Sequence, residues 1–254
     1  MPDATTLNIL VPLFFTVATF YAMVGFGGGS SYIALLMLFN VSYLVSPSIA
    51  LVCNIIVVTG GTIHFIRKGH LSIKFLIPFI ISSIPLAYIG GNILISKMYF
   101  QLILGTLLLL AGTRMLVFKK KDYTYSDTNQ KPPLKASLIM GGVIGFLSGL
   151  VGIGGGIFLA PILYVFKWGT PKRIAATSSA FILVNSISGL LGQVQKSQNI
   201  DQVINFWPLL LAVFLGGQLG SLLCNSSISP RKIEIFTSIL VLFVSGRLII
   251  NILI

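Results

Sequence analysis

Acidic side chains are almost missing from this chain. Asp and Glu together number 5 in 254 residues, and all charged residues make up 9%. A soluble domain carries about 25% charged residues, so ionic groups cannot cover a folded surface of this size. With 55% hydrophobic residues and a mean hydropathy of +0.97, the chain is also no candidate for disorder. Cysteine is scarce as well. Cys53 and Cys224 lie in apolar runs with no CxxC and no metal-ligand spacing, which excludes a disulfide scaffold and leaves them as small residues in helix contacts. The two histidines, His64 and His70, form no cluster with acids or thiols, and no nucleophile is paired with a base, so no metal, cofactor or catalytic set is expected. Nucleotide fingerprints are absent too: GIGGGI reads G-x-G-x-x-I, and no GxxxxGK[ST] occurs. The first residues, MPDATTLNIL, carry Asp3 and no Lys or Arg, the wrong charge for a signal peptide, and are read as mature structure.

What the chain has is apolar length. A membrane-spanning helix needs about 20 mostly apolar residues. Runs of this kind occupy 7–24, 30–45, 46–66, 73–95, 99–118, 136–151, 156–168, 172–195, 203–224 and 233–253. The expected fold is an all-α polytopic membrane protein with the lipid bilayer as its solvent. One hydrophilic linker, KKKDYTYSDTNQKPPL at 119–134, divides it into 1–118 and 135–254.

The two parts resemble each other. VGFGGGSSYIALLMLF at 24–39 aligns without a gap on VGIGGGIFLAPILYVF at 151–166. The stretch ALVCN ending at Asn54 resembles the one ending ILVN at Asn185; YIGGNIL at 88–94 matches FLGGQLG at 214–220; LLLLAGTR up to Arg114 matches LVLFVSGR up to Arg247. Each copy holds five segments, an odd number, so the second copy is expected to run through the membrane with inverted topology.

The charges give an independent reading. Of the 17 basic residues, one predicted face holds Arg67, Lys68 and Lys74; Arg114, Lys119, Lys120, Lys121, Lys131 and Lys135; Lys167, Lys172 and Arg173; and Arg231 and Lys232. Only Lys97, Lys196 and Arg247 remain for the other. By the positive-inside rule the first face and the linker 119–134 are cytoplasmic, and both termini are extracytoplasmic, in the cell (inner) membrane. The formal charge of +12 is thus a topology signal and not a nucleic-acid surface.

Inverted repeats with interrupted segments at matching positions point to a transporter site. The interruptions here are the tracts around Gly27, Gly28, Gly29, Ser30 and Ser31, and around Gly154, Gly155 and Gly156. Consecutive glycines end a helix and leave free N–H groups at the start of the next, where the helix dipole favours an anion. Close helix packing is the plainer use of such small residues. The tracts are expected at broken or re-entrant helices, and the sequence leaves open which. Asn54 and Asn185 lie inside apolar segments, with Thr177 and Ser178 one to two turns before the latter. They read equally as helix-to-helix hydrogen bonds and as neutral donors for an oxyanion. All five acids, Asp3, Asp122, Asp127, Asp201 and Glu234, fall in loops or at a segment end, so no buried carboxylate relay of the kind cation carriers use is expected.

Two G-x-G-G-G tracts, the second running on into Pro161, and a Gly-Gly pair near the fourth segment of each copy make the chain similar to the TauE/SafE sulfite exporter family over nearly its whole length. The resemblance implies a permease for a small sulfur-containing or organic oxyanion, such as sulfite, sulfoacetate or another sulfonate. It carries over only to the glycine tracts and the Asn54 and Asn185 regions. The first copy departs from the pattern, with Ala34 opposite Pro161 and Ser30-Ser31 opposite Ile157-Phe158. An outward flux of anions suits a cell interior that is electrically negative. A H⁺- or Na⁺-coupled uptake carrier for an organic acid is the second reading, and a membrane-embedded assembly protein the third. The expected partners are a small anion and lipid, with no nucleic acid, and a homo-oligomer stays open.

Overall fold

The computed structural model describes residues 4–117, 132–197, 203–223 and 230–253, so all but the last three residues of the linker 119–134, and Cys224, lie outside it. Among these residues, ten helices of ten residues or more follow one another: α1 (Ala4–Val24), α2 (Gly29–Leu38), α3 (Ser46–Arg67), α4 (Ile73–Asn92), α5 (Lys97–Val117), α6 (Leu134–Val151), α7 (Gly156–Val165), α8 (Pro171–Ser197), α9 (Trp207–Leu222) and α10 (Pro230–Leu253). No strand occurs among the described residues. All ten apolar runs become helices. The largest difference is at 30–45, where α2 stops at Leu38.

That stop has a local cause, repeated in α7. After α2, Asn40 turns to φ 57 and the Val41 N–H reaches back to the Leu36 carbonyl. After α7, Lys167 turns to φ 54 and the Trp168 N–H reaches back to the Leu163 carbonyl. Both are Schellman endings, which satisfy carbonyls the helix leaves open. A ten-residue helix is about 15 Å long, half of a hydrocarbon core of about 30 Å. Among the described residues, five helices are long and apolar enough to cross a membrane: α1, α3, α4, α6 and α8.

The polarity of the molecule is turned inside out. Its outer face carries Ile73, Ile81, Leu110, Ile139, Leu222 and Phe243, all more than half exposed, an apolar surface that only lipid covers without cost. Its interior holds Ser83, Asn54, Thr177, Ser178, Asn185 and Ser186, all fully buried. This is a polytopic all-α membrane protein. Apolar side chains of α1, α2, α3, α5, α9 and α10 form one core, including Phe14, Tyr32, Phe100 and Val241. Those of α4, α6, α7 and α8 form a second, including Phe79, Ile144, Leu163 and Phe181.

The helices pack in a reciprocal pattern. The first helix of one half lies on the fourth of the other: α4 on α6, α1 on α9. Small residues make both contacts close. On α6, Gly141, Gly145 and Gly149 face the backbone of Phe79, Ser83 and Ala87 on α4. On α9, Gly216 and Gly220 face the carbonyls of Phe15 and Thr19 on α1. In lipid, where apolar attraction between helices is weak, such contact is what holds a pair together. The Gly-Gly pairs that mark the sequence repeat thus serve packing: Gly90 lies against Phe146 and Gly91 against Gly189.

Candidate functional site at the meeting of the glycine tracts

The two central helices run antiparallel. Leu51 early in α3 meets Gly189 late in α8, while Thr62 late in α3 shares a 3.0 Å hydrogen bond with Ser179 early in α8. Each glycine tract follows α3 from one of its ends toward the middle. Gly25 lies beside Gly61, and Gly27 has come back to Asn54. From the opposite end, Gly152 abuts Pro47 in the first turn of α3, and Gly154 has reached the same Asn54. Both tracts cover seven residues of α3, about 11 Å of its axis. Each tract therefore reaches the middle of α3 as open backbone, just before its short helix starts.

Gly28 and Gly155 cap the two short helices with φ of 80, a conformation costing other L-residues roughly 1–2 kcal/mol. Close approach limits the rest. A Cβ at Gly27 would lie 2.5 Å from Asn54 Oδ1, and one at Gly154 2.5 Å from Asn54 Nδ2 and 3.0 Å from Ser186 Oγ. A Cβ at Gly29 would fall on both Asn54 Nδ2 and the Ile153 carbonyl. The tracts thus touch each other, and Asn54 joins them by donating a 3.1 Å hydrogen bond from Nδ2 to the Ile153 carbonyl.

The electrostatics follow from the backbone. The N–H groups of Gly29 and Ser30, and of Gly156 and Ile157, donate to no backbone carbonyl. Each helix start carries about half a positive charge, and the two starts follow tracts that meet at Asn54. None of the five acids lies on α1 to α9 to neutralise them. Around this place Asn54 Oδ1 and the hydroxyls of Tyr32, Ser148, Ser178 and Ser186 are buried without a hydrogen-bond partner, as is that of Thr177, which precedes Ser178 on α8. Each such group costs about 1–3 kcal/mol unless something binds it. The arrangement can hold a small anion by donors without a fixed counter-charge.

The structure separates the sequence candidates. Gly27, Gly28, Gly29, Asn54, Gly154 and Gly155 come together, and Gly156 lies against Ile182 and the Ser178 carbonyl. Ser30 is buried beside them, while Ser31 pairs with the Tyr21 hydroxyl at 3.0 Å. Asn185 does not mirror Asn54. Its Oδ1 accepts from Ser83 at 2.8 Å and its Nδ2 donates to the Phe181 carbonyl at 3.0 Å, tying α8 to α4. The residue that meets Gly156 as Asn54 meets Gly29 is Ile182, three positions earlier. Ser148, Ser186 and the Ile153 carbonyl are additions. Ser186 directly follows Asn185 and could have been weighed with it; nothing in the sequence singles out a backbone carbonyl.

The short helices are gripped by arginines that the sequence shows only as charges. Arg247 on α10 donates a 2.6 Å hydrogen bond to the Leu38 carbonyl, in the last turn of α2, where a cation suits a helix C-terminus. Arg114, its match on α5, reaches the Pro161 carbonyl in the middle of α7 at 3.2 Å. We expect Arg247→Ala to cost about 1.5–3 kcal/mol, the range of a charged hydrogen bond. The readout is the thermal midpoint of the purified protein, with Arg247→Lys recovering part of the loss; an unchanged midpoint in the Ala variant would discount the latch.

A family profile described as Sulfite exporter TauE/SafE matches residues 10–248. Among curated proteins, the chain is 36% identical to the probable membrane transporter protein y4hK of Sinorhizobium fredii, across 92% of this chain and 94% of the relative. It is 26% identical to the probable membrane transporter protein YunE of Bacillus subtilis, across 95% and 96%. It is 27% identical to the probable membrane transporter protein MJ0441 of Methanocaldococcus jannaschii, across 91% of each. No solved structure matches the chain significantly.

Proposed function

The chain belongs to the sulfite exporter TauE/SafE family of membrane transporters, and from that premise we propose that it moves a small sulfur-containing or organic oxyanion, such as sulfite or a sulfonate, out of the cell through the place where the glycine tracts meet. The observation that carries this reading is that the two glycine tracts meet at Asn54, the α2 start directly against it through Gly29 and the α7 start two residues beyond Gly154, among buried unpartnered polar groups and no acid. Two positive helix ends repel unless an anion lies between them. In our reading the halves 1–118 and 135–254 are inverted copies joined by a cytoplasmic linker, with both termini extracytoplasmic in the cell membrane. The antiparallel α3 and α8 and the reciprocal helix pairs support that reading. The proposed binding set is Gly27–Gly29, Ser30, Asn54, Gly154–Gly156, Thr177, Ser178 and Ser186, with Asn185 holding α4 to α8.

Export needs no second ion. A potential of 100 mV, negative inside, favours exit of one negative charge by about 2.3 kcal/mol, which is about fiftyfold in the distribution at equilibrium. The test is flux of labelled sulfite in proteoliposomes under set potentials. We expect flux at zero potential down the concentration gradient, with the end-point ratio shifting about fiftyfold per 100 mV for a monovalent anion. Flux that appears only under an imposed H⁺ or Na⁺ gradient would replace this reading with coupled uptake.

A further inference from the structure

Most of the unpartnered polar atoms around the glycine tracts are hydroxyls, which can either donate or accept. Asn54 Oδ1 is different: it only accepts. It is buried without a partner beside Gly27 and Gly29, at the start of α2. Its orientation is fixed, because Nδ2 donates to the Ile153 carbonyl at 3.1 Å. Turning the amide over would set Oδ1 against that carbonyl oxygen, two acceptors facing each other. An anion whose atoms all accept would satisfy the helix ends and leave Oδ1 facing another oxygen.

We propose that the site selects an oxyanion bearing a hydrogen-bond donor of its own, a singly charged anion with an O–H group such as hydrogen sulfite, and that Asn54 recognises that hydrogen. The inference rests on the permease reading above and names its substrate class more closely. The helix N-termini take the charged oxygens, and Asn54 Oδ1 takes the O–H. A doubly charged, fully deprotonated sulfite offers Oδ1 no donor and is rejected, as is a sulfonate without a hydroxyl. A site with a buried polar group committed to one partner discriminates strongly against an analogue lacking it.

The experiment compares two anions in proteoliposomes, with equal pH on both sides and protein-free liposomes as background. Labelled sulfite is measured across a pH series, beside methanesulfonate, which is singly charged throughout and has no donor. The residues against Asn54, namely Gly27, Gly29, Ile153 and Gly154, carry no ionisable group, and Tyr32 beside Gly28 is a phenol, so any titration of the protein would show in methanesulfonate flux as well, and a dependence confined to sulfite belongs to the substrate. Sulfite flux should follow the fraction of monoanion as pH rises, and methanesulfonate should move at least about tenfold more slowly at every pH. In Asn54→Leu, close in size but without the acceptor, the ratio should fall to within about twofold. Methanesulfonate carried as fast as sulfite, with neither depending on pH, would overturn the selection while leaving the permease reading in place. Failure of both anions to move would overturn the permease reading itself for these oxyanions. If Asn54→Leu does not reach the membrane, the wild-type comparison decides.

Discussion

Gly29→Ala is expected to reduce anion flux by about tenfold or more while the protein still folds. The added methyl falls on Asn54 Nδ2 and on the Ile153 carbonyl, one held by a hydrogen bond and the other part of the backbone. Neither can move away alone. Relief requires either breaking the Asn54–Ile153 bond or shifting the start of α2 from the second tract. Overpacking of this kind costs about 1–3 kcal/mol, about five- to 150-fold if it falls on binding. Gly60→Ala, outside the proposed binding set, is the control: nothing lies within 4 Å of its added methyl, so its flux should stay within about threefold of wild type. The measurement is proteoliposome flux normalised to folded protein. Equal flux from Gly29→Ala and wild type would show that the close meeting of the tracts is not part of the transport site.

The larger effect on stability is expected from Gly145→Val in α6. A Cβ there lies 2.6 Å from the Ser83 carbonyl oxygen and 2.7 Å from its Cα, so the clash is with the backbone of α4. Gly141 and Gly149, one turn to either side, are equally close to Phe79 and Ala87, and no local tilt accommodates the larger residue. The two helices must separate along their contact. We expect a loss of about 3 kcal/mol, the upper end of the overpacking range, seen as a lower thermal midpoint and poor recovery from the membrane. Gly60→Ala is the contrast: nothing lies within 4 Å of its added methyl, and its midpoint should be unchanged or slightly raised. If Gly145→Val melts with the wild type, the small-residue account of the α4–α6 pair fails.

The comparison of Asn54 with Asn185 shows where reading the sequence succeeds and where it stops. Matching by residue type brings the two asparagines together, since each is a polar residue in an apolar helix. Contact depends instead on helical phase. Asn185 is three residues past Ile182, offset by only about 60° round the helix but most of a turn further along it, and there it meets Ser83 on α4 while Ile182 meets the tract. Both uses weighed for such residues from the sequence occur: Asn54 stands between the tracts and Asn185 holds two helices together. The glycine tracts were legible because a break in an apolar run is a local property of the chain. The glycines of α6 went unremarked because their reason is the backbone of α4, more than fifty residues away.

By itself, the sequence determined the solvent and the element list. Too few charges to cover a surface and ten apolar runs require an all-helical membrane protein, because lipid cannot satisfy open backbone groups. It also determined the glycine interruptions, since consecutive glycines end a helix wherever it lies. Only the tertiary structure decided that the two tracts approach Asn54 from opposite ends of α3, that Ile182 and not Asn185 takes the matching place, and that arginines of each half hold the short helix of the other. These are contacts between residues on different elements, from 25 to 209 positions apart, set by helix phase and crossing, which no local pattern of residue types encodes.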